Sequence, residues 1–201
     1  VNGPLHGGAV SNDATTSSQF ISALMMIGPA LPKGLEITLQ GLPISQPYLE
    51  LTASVMGLFG ASVEISQGSI RIEPQEYSAT SVTIEPDASS ASYPLAIAAL
   101  TGSTLIIEDF GSASLQGDSQ IVDILKMMNV EIDWTPRSTK LTSNGRDLEG
   151  IDIDMSEISD LVPTVAALAC FAASPTRIRG VGFIRSKESD RIGDLAAELL
   201  K

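Results

Sequence analysis

Histidine and cysteine are nearly absent. The 201 residues hold one of each, His6 and Cys170. A single cysteine closes no disulfide framework and builds no cysteine zinc site, and a histidine triad or histidine metal cluster has only His6 to draw on. Cys170 falls in the apolar run LVPTVAALACFAAS, which predicts a buried small hydrophobe. Cations are scarce as well: 12 Lys and Arg stand against 24 Asp and Glu, for a net charge of −12. That balance argues against nucleic acid and anionic membrane as partners. Apolar runs such as Ile21 to Leu31 fall short of the roughly 20 residues that span a bilayer, and no stretch reads as a signal peptide. A soluble, cytoplasmic protein is the expectation. What is present is apolar bulk, 43% of residues, enough for one large domain or two small ones and too much for a disordered chain.

The chain repeats itself. DATTSSQFISALMMIGPAL, LEITLQG, ISQPYLELTASVMGLFG and ASVEISQGSIRIE are followed by a second series, DASSASYPLAIAALTG, STLIIEDFG, LQGDSQIVDILKMMN and VEIDWTPRSTKLT. A third series, ISDLVPTVAALACFAAS, TRIRGVG and SKESDRIGDLAAELLK, lacks the last segment. The second helices of the three begin at Gln46, Gln116 and Lys187, spaced by 70 and 71 residues. Each unit predicts β-α-β-α-β-β. A short strand (GGAVS, SVTIE, GIDID) leads to a helix opened by hydroxyl and acidic N-caps. An alternating strand follows, as in Leu35, Ile37 and Leu39, then a second helix, then a hairpin such as Val63 and Ile65, a turn at Gln67-Gly68, and Ile70 and Ile72. Phe20, Leu24 and Ile27 are the expected core face of the first helix. Asp87, Ser89, Ser90, Ser92 and Asp118 read as helix-start capping chemistry.

Charge concentrates in one place. FIRSKESDRIGDLAAELL, from Phe183 to Leu200, carries Arg185, Lys187, Glu188, Asp190, Arg191 and Asp194. Ile192, Leu195, Ala196 and Leu199 make it an amphipathic helix by periodicity. Lys187 and Arg191 are four apart and Glu188 and Arg191 three apart, so they would share a helix face. An ordinary solvated face with local ion pairs is one reading. Cations at a helix start are mildly unfavourable, however, which favours a second reading in which a phosphate or carboxylate ligand sits among them with free N–H groups.

Taken together, GGAVSNDATTSSQFISALMM, PISQPYLELT, DASSASYPLAIAAL, LQGDSQIVDILKMMN and RSKESDRIGDLAAEL resemble the EPSP synthases (3-phosphoshikimate 1-carboxyvinyltransferases) of the enolpyruvyl transferase family, from about Gly7 to Lys201. The resemblance implies an α+β, inverse α/β barrel-like fold with two domains of three β-α-β-α-β-β units each. Two and a half units are present here. Residues 1–78 would be the last unit of the first domain, and residues 79–201 the first one and a half units of the second. The family's N-terminal lysine, serine and arginine ligands have no counterpart in this chain, nor do the late arginine and lysine that hold phosphoenolpyruvate. An internal fragment is therefore expected, inactive alone and able to self-associate, from an enzyme that is a monomer at full length.

The implied reaction transfers the enolpyruvyl group of phosphoenolpyruvate to shikimate 3-phosphate, with no cofactor and no metal. By resemblance, Ser17, Ser18, Gln19, Ser45, Tyr48, Asp160 and Lys187 contact shikimate 3-phosphate, and Gln19, Lys187 and Arg191 contact phosphoenolpyruvate. Asp160 matches the catalytic base and Glu188 the proposed acid. Each also has a plain structural reading. Ser17, Ser18, Ser45 and Asp160 suit N-caps, and Glu188 suits an ion pair with Arg191. Phe183 departs from relatives that carry asparagine there, since a phenyl ring donates no hydrogen bond. Two alternatives stand beside the transferase. One is a non-catalytic, anion-binding repeat module. The other is a UDP-N-acetylglucosamine enolpyruvyl transferase relative, which Cys170 in its apolar run does not support.

Overall fold

The computed structural model describes residues 3–15, 17–41 and 46–201. In its first unit, residues 1–84, β1 (Gly8–Asp13) runs into α1 (Ser18–Ile27) and returns as β2 (Leu35–Gln40). β1 and β2 are parallel, with Val10 opposite Ile37, and a parallel pair requires a crossover of this kind. α2 (Gln46–Leu58) follows. The hairpin of β3 (Glu64–Ser66) and β4 (Ser69–Ile72) then closes the sheet in the order β1-β2-β4-β3. Its turn is at Gln67-Gly68, where Gly68 takes the left-handed conformation (φ +82°) that the sequence anticipates. Ile37, Ile70 and Ile72 point from the sheet onto Ile21 and Met25 of α1 and Leu49 and Met56 of α2, and form the unit's core.

The second unit is residues 85–201. α3 (Ala88–Thr101) is capped by Asp87, whose carboxylate accepts from Ser90 N at 3.0 Å, and ends at Gly102 in the left-handed conformation. β5 (Thr104–Glu108), α4 (Ile121–Met127), β6 (Glu131–Trp134) and β7 (Ser138–Thr142) follow, and the three strands make an antiparallel sheet, β5-β7-β6. β8 (Asp152–Asp154) and β9 (Arg177–Arg179) are a parallel pair joined through α5 (Val162–Ala169), and α6 (Arg191–Leu199) comes last. Leu95, Phe110, Ile124, Leu125, Val165 and Leu168 belong to one core that both repeats of this unit share. The architecture is α+β, with mixed helices and sheets and no closed barrel among the described residues. No helix among them is long and apolar enough to cross a membrane.

Four sequence expectations fail. SVTIE is not a strand. Alternation makes a strand only where a neighbouring edge takes its backbone groups, β5 pairs on one side alone, and Ile84 is 90% exposed. In α1 the buried residues are Ser18, Ile21, Ser22 and Met25, while Phe20 is 59% exposed and Ile27 also faces out. On the inward face Ser22 Oγ and Thr52 Oγ1 of α2 share a hydrogen bond at 2.8 Å in the interior. Cys170 is exposed. It lies just past the end of α5, off the stripe of Val162, Val165 and Leu168 that is buried. Finally, Lys187 is not helical. A 3-10 turn at Gly182–Ser186 ends there with ψ −146°, and α6 begins only at Arg191.

Candidate active site

Three local features of the second unit bring distant charges to one point. Asp160 stands in a single 3-10 turn, Ser159–Leu161, fixed by its buried neighbours Ser159 and Leu161 just before α5. That position invites an N-cap, yet the Asp160 carboxylate caps nothing. Lys187 leaves the Gly182–Ser186 turn, which is anchored by fully buried Ile184. Arg191 opens α6, and the cap of that helix is Asp190, whose Oδ1 accepts from Gly193 N at 2.9 Å. Asp190 also holds Arg185 at 2.8 Å, so Arg185 belongs to the scaffold of the loop.

The free carboxylate of Asp160 collects the other two cations. Its Oδ1 accepts from Lys187 Nζ at 3.0 Å and from Arg191 Nη1 at 2.6 Å, across 27 and 31 residues of sequence. Arg191 Nη2 donates to Glu188 Oε2 at 2.8 Å, the three-residue pair that the sequence suggests. Lys187 Nζ also reaches Ser159 Oγ at 3.2 Å and lies 5.9 Å from the centre of the Phe183 ring, a cation–π distance. Lys187 and Arg191 therefore share a target although they share no helix face. Their side chains are 27% and 28% exposed, against 50% for Asp160 and 70% for Glu188.

Burial by itself pushes the Asp160 carboxyl up, but Lys187 and Arg191 outweigh it and hold it below the usual aspartate range. Glu188 is also held low, first by a backbone N–H and then by Arg191. Both carboxylates are ionised in this arrangement. Asp118 moves the other way. Burial raises it, against a hydrogen bond that it accepts from Ser89 Oγ, and the negative charges of Asp160 and Asp87 add to the rise. The helix-start residue Asp118 thus ties α4's approach to the start of α3 instead of capping its own turn.

An open groove of about 550 Å³ passes the cluster. Ser89, Ser90 and Tyr93 of α3 line it together with Asp160, Ser189 and Arg191. Sequence reasoning set Ser89 and Ser90 aside as caps and did not single out Tyr93, Ser159 or Ser189. The repeat alignment was the available signal, because it pairs the start of α3 with the start of α5.

In the first unit, Ser17 caps α1, accepting from Gln19 N at 3.2 Å. Ser18 is buried and the Gln19 side chain is exposed. Tyr48 is exposed in the first turn of α2, and its carbonyl accepts from Thr52 Oγ1 at 2.8 Å. Ser45 lies outside the described residues. The structure thus gathers Asp160, Lys187, Glu188 and Arg191 at one point of the second unit, and Ser17, Ser18 and Gln19 at one helix start of the first.

Repeats of this plan make an enolpyruvyl transferase fold, and solved structures agree. An EPSP synthase from Acinetobacter baumannii superimposes with a TM-score of 0.72 at 22% identity, over 98% of this chain and 45% of that one. The enolpyruvyl transferase NikO from Streptomyces tendae does so with 0.64 at 20% identity, over 85% and 43%. The family model of EPSP synthase (3-phosphoshikimate 1-carboxyvinyltransferase) matches residues 1–201, and the chain belongs to that family. A 3-phosphoshikimate 1-carboxyvinyltransferase from Methanothermobacter thermautotrophicus is 40% identical over 199 residues, 99% of this chain and 47% of the relative. The chloroplastic one of Arabidopsis thaliana is 40% identical over 210 residues, 100% of this chain and 40% of the relative. The chain spans about half the length of the curated relatives it matches.

Proposed function

We propose that this chain is an internal part of an enzyme that transfers the enolpyruvyl group of phosphoenolpyruvate to shikimate 3-phosphate, with residues 1–78 closing one domain and 79–201 opening the next. The observation that carries the reading is the convergence of Lys187 and Arg191 on Asp160, with Glu188 on the same guanidinium, at the positions that match the family's site. In the reaction, the attacking hydroxyl oxygen bonds to C2 of phosphoenolpyruvate, and a proton joins the C3 methylene. Loss of phosphate and of a C3 proton then leaves the vinyl ether. Asp160, ionised, takes the hydroxyl proton, which leaves with the departing phosphate as hydrogen phosphate. Glu188 delivers the proton to C3 and recovers it. It takes up a proton from solvent and acts as an acid once the incoming carboxylate takes over Arg191 Nη2, which removes one of the contacts that lower its pKa and leaves the backbone N–H as the other. The Arg191 fork suits that carboxylate in bidentate fashion. Lys187, held on the Asp160 carboxylate at 3.0 Å, bridges the two substrates.

Ser17, Ser18, Gln19, Ser45 and Tyr48 supply the shikimate 3-phosphate contacts of the first domain, with Gln19 also near phosphoenolpyruvate. A phosphate at the α1 start would find free N–H groups beside the serine hydroxyls. The isolated chain turns over negligibly in this reading, because ligands from the rest of the enzyme are missing. Each lost charge-assisted contact is worth roughly 1.5–3 kcal/mol. Phosphate release from the two substrates, assayed with the complete enzyme and with the 201-residue chain, tests it. Turnover by the complete enzyme alone supports the reading. Robust turnover by the short chain, or none by the complete enzyme, contradicts it.

A further inference from the structure

We infer that Asp160 is also a specificity residue for anions, acting as the site's tethered counter-anion and keeping simple anions off the Lys187–Arg191 pair. This rests on reading that pair as anion-binding. Asp160 Oδ1 takes both Lys187 Nζ and Arg191 Nη1, and Glu188 takes Arg191 Nη2. Two cations and two carboxylates make a cluster with no net charge, in a chain of net charge −12. A small anion arriving from solution meets no uncompensated positive field. It has to displace a carboxylate that the fold already holds in place, at the high effective concentration of a tethered group. A ligand bearing two anionic groups can replace both Asp160 contacts together. Inorganic phosphate cannot gain enough to do so. Selectivity then comes from a built-in competitor as much as from new contacts.

Asp194 provides an internal comparison. It lines the same groove, lies on the exposed side of α6, and forms no ion pair with Lys187 or Arg191 among the described residues. Removing it changes net charge equally without freeing either cation.

The test is a titration of the 201-residue chain with inorganic phosphate at fixed ionic strength, followed by NMR shifts of the Lys187 and Arg191 side-chain N–H groups. Asp160→Asn is expected to tighten phosphate binding about tenfold over wild type, on the scale of a charge-assisted contact. Glu188→Gln, which keeps Asp160 in place, is expected to tighten it by a smaller factor. Asp194→Asn is expected to change it less than about threefold. Circular dichroism checks each fold, and Asp160→Ser, which removes the same carboxylate and should tighten phosphate binding likewise, decides the matter if Asp160→Asn does not fold. An Asp160→Asn chain that binds phosphate no better than wild type overturns the inference, as does an equal gain from Asp194→Asn. Neither outcome bears on turnover, which the activity assay reads separately.

Discussion

Gln116 and Lys187 hold equivalent places 71 residues apart in successive repeats, and each reaches back to the start of its own repeat's first helix. Gln116 does so with a neutral amide. Its Oε1 accepts from Ala88 N and its Nε2 donates to Pro86 O, both at 2.8 Å, fastening the start of α3. Lys187 reaches Ser159 Oγ and Asp160 Oδ1 at the start of α5. The framework is the same, and what it holds differs. In one repeat the clasp closes on backbone and is complete. In the other it leaves an ammonium, a carboxylate and, through Arg191, a guanidinium beside an open groove. The same scaffold thus carries a neutral clasp in one repeat and a charged one in the next.

The largest effects should come from the charged version. In the complete enzyme, Asp160→Ala and Glu188→Gln should each lower kcat by roughly a hundredfold or more, the usual scale of general acid–base groups. If steady-state kinetics put Glu188→Gln near wild type, Glu188 is a binding partner of Arg191 and not the acid. The neutral clasp should behave differently. Gln116→Ala removes two hydrogen bonds to backbone groups and should cost about 1–2 kcal/mol of stability, read by urea unfolding of the 201-residue chain. A Gln116→Ala chain as stable as wild type would mean that the clasp holds nothing. The smallest effect lies in pH dependence. Asp118, raised by burial, binds its proton more tightly folded than unfolded, so its favourable contribution is lost as pH rises through its raised pKa. The urea midpoint of Asp118→Asn should therefore gain on wild type from acid to neutral pH. Asp160, held low, contributes above the ordinary aspartate pKa and loses that contribution as pH falls. The Asp160→Asn midpoint should accordingly flatten on the acid side. A midpoint difference from wild type that stays constant with pH for both variants contradicts these assignments.

Sequence carried the parts whose causes are local. The caps at Ser17 and Asp87, the hairpin turn at Gln67-Gly68 and the Glu188–Arg191 pair each depend on neighbours within a few residues, and each is found. The face of α1 was not legible, because Phe20, Ile21, Leu24, Met25, Met26 and Ile27 put apolar groups nearly all round the helix. The face that is buried carries Ile21 and Met25 and the Ser22–Thr52 contact, whose partner lies 30 residues away. Amphipathic spacing likewise extended the last helix back to Lys187, but Asp190 starts it later, since a side-chain cap defines a terminus more sharply than periodicity does. The pairing of Asp160 with Lys187 and Arg191 came into view only through the resemblance, and its geometry only through the fold.

One exchange, Lys187→Gln, places the neutral clasp residue of the second repeat at the charged position of the third. Made in both the 201-residue chain and the complete enzyme, it should leave the urea midpoint of the chain close to wild type, since an amide can still donate to Ser159 and Asp160. Turnover of the complete enzyme should fall by about a hundredfold or more, because the ammonium proposed to bridge the substrates is gone. Turnover within a few-fold of wild type, with the fold intact, would contradict the claim that the charge at this clasp is what makes the site.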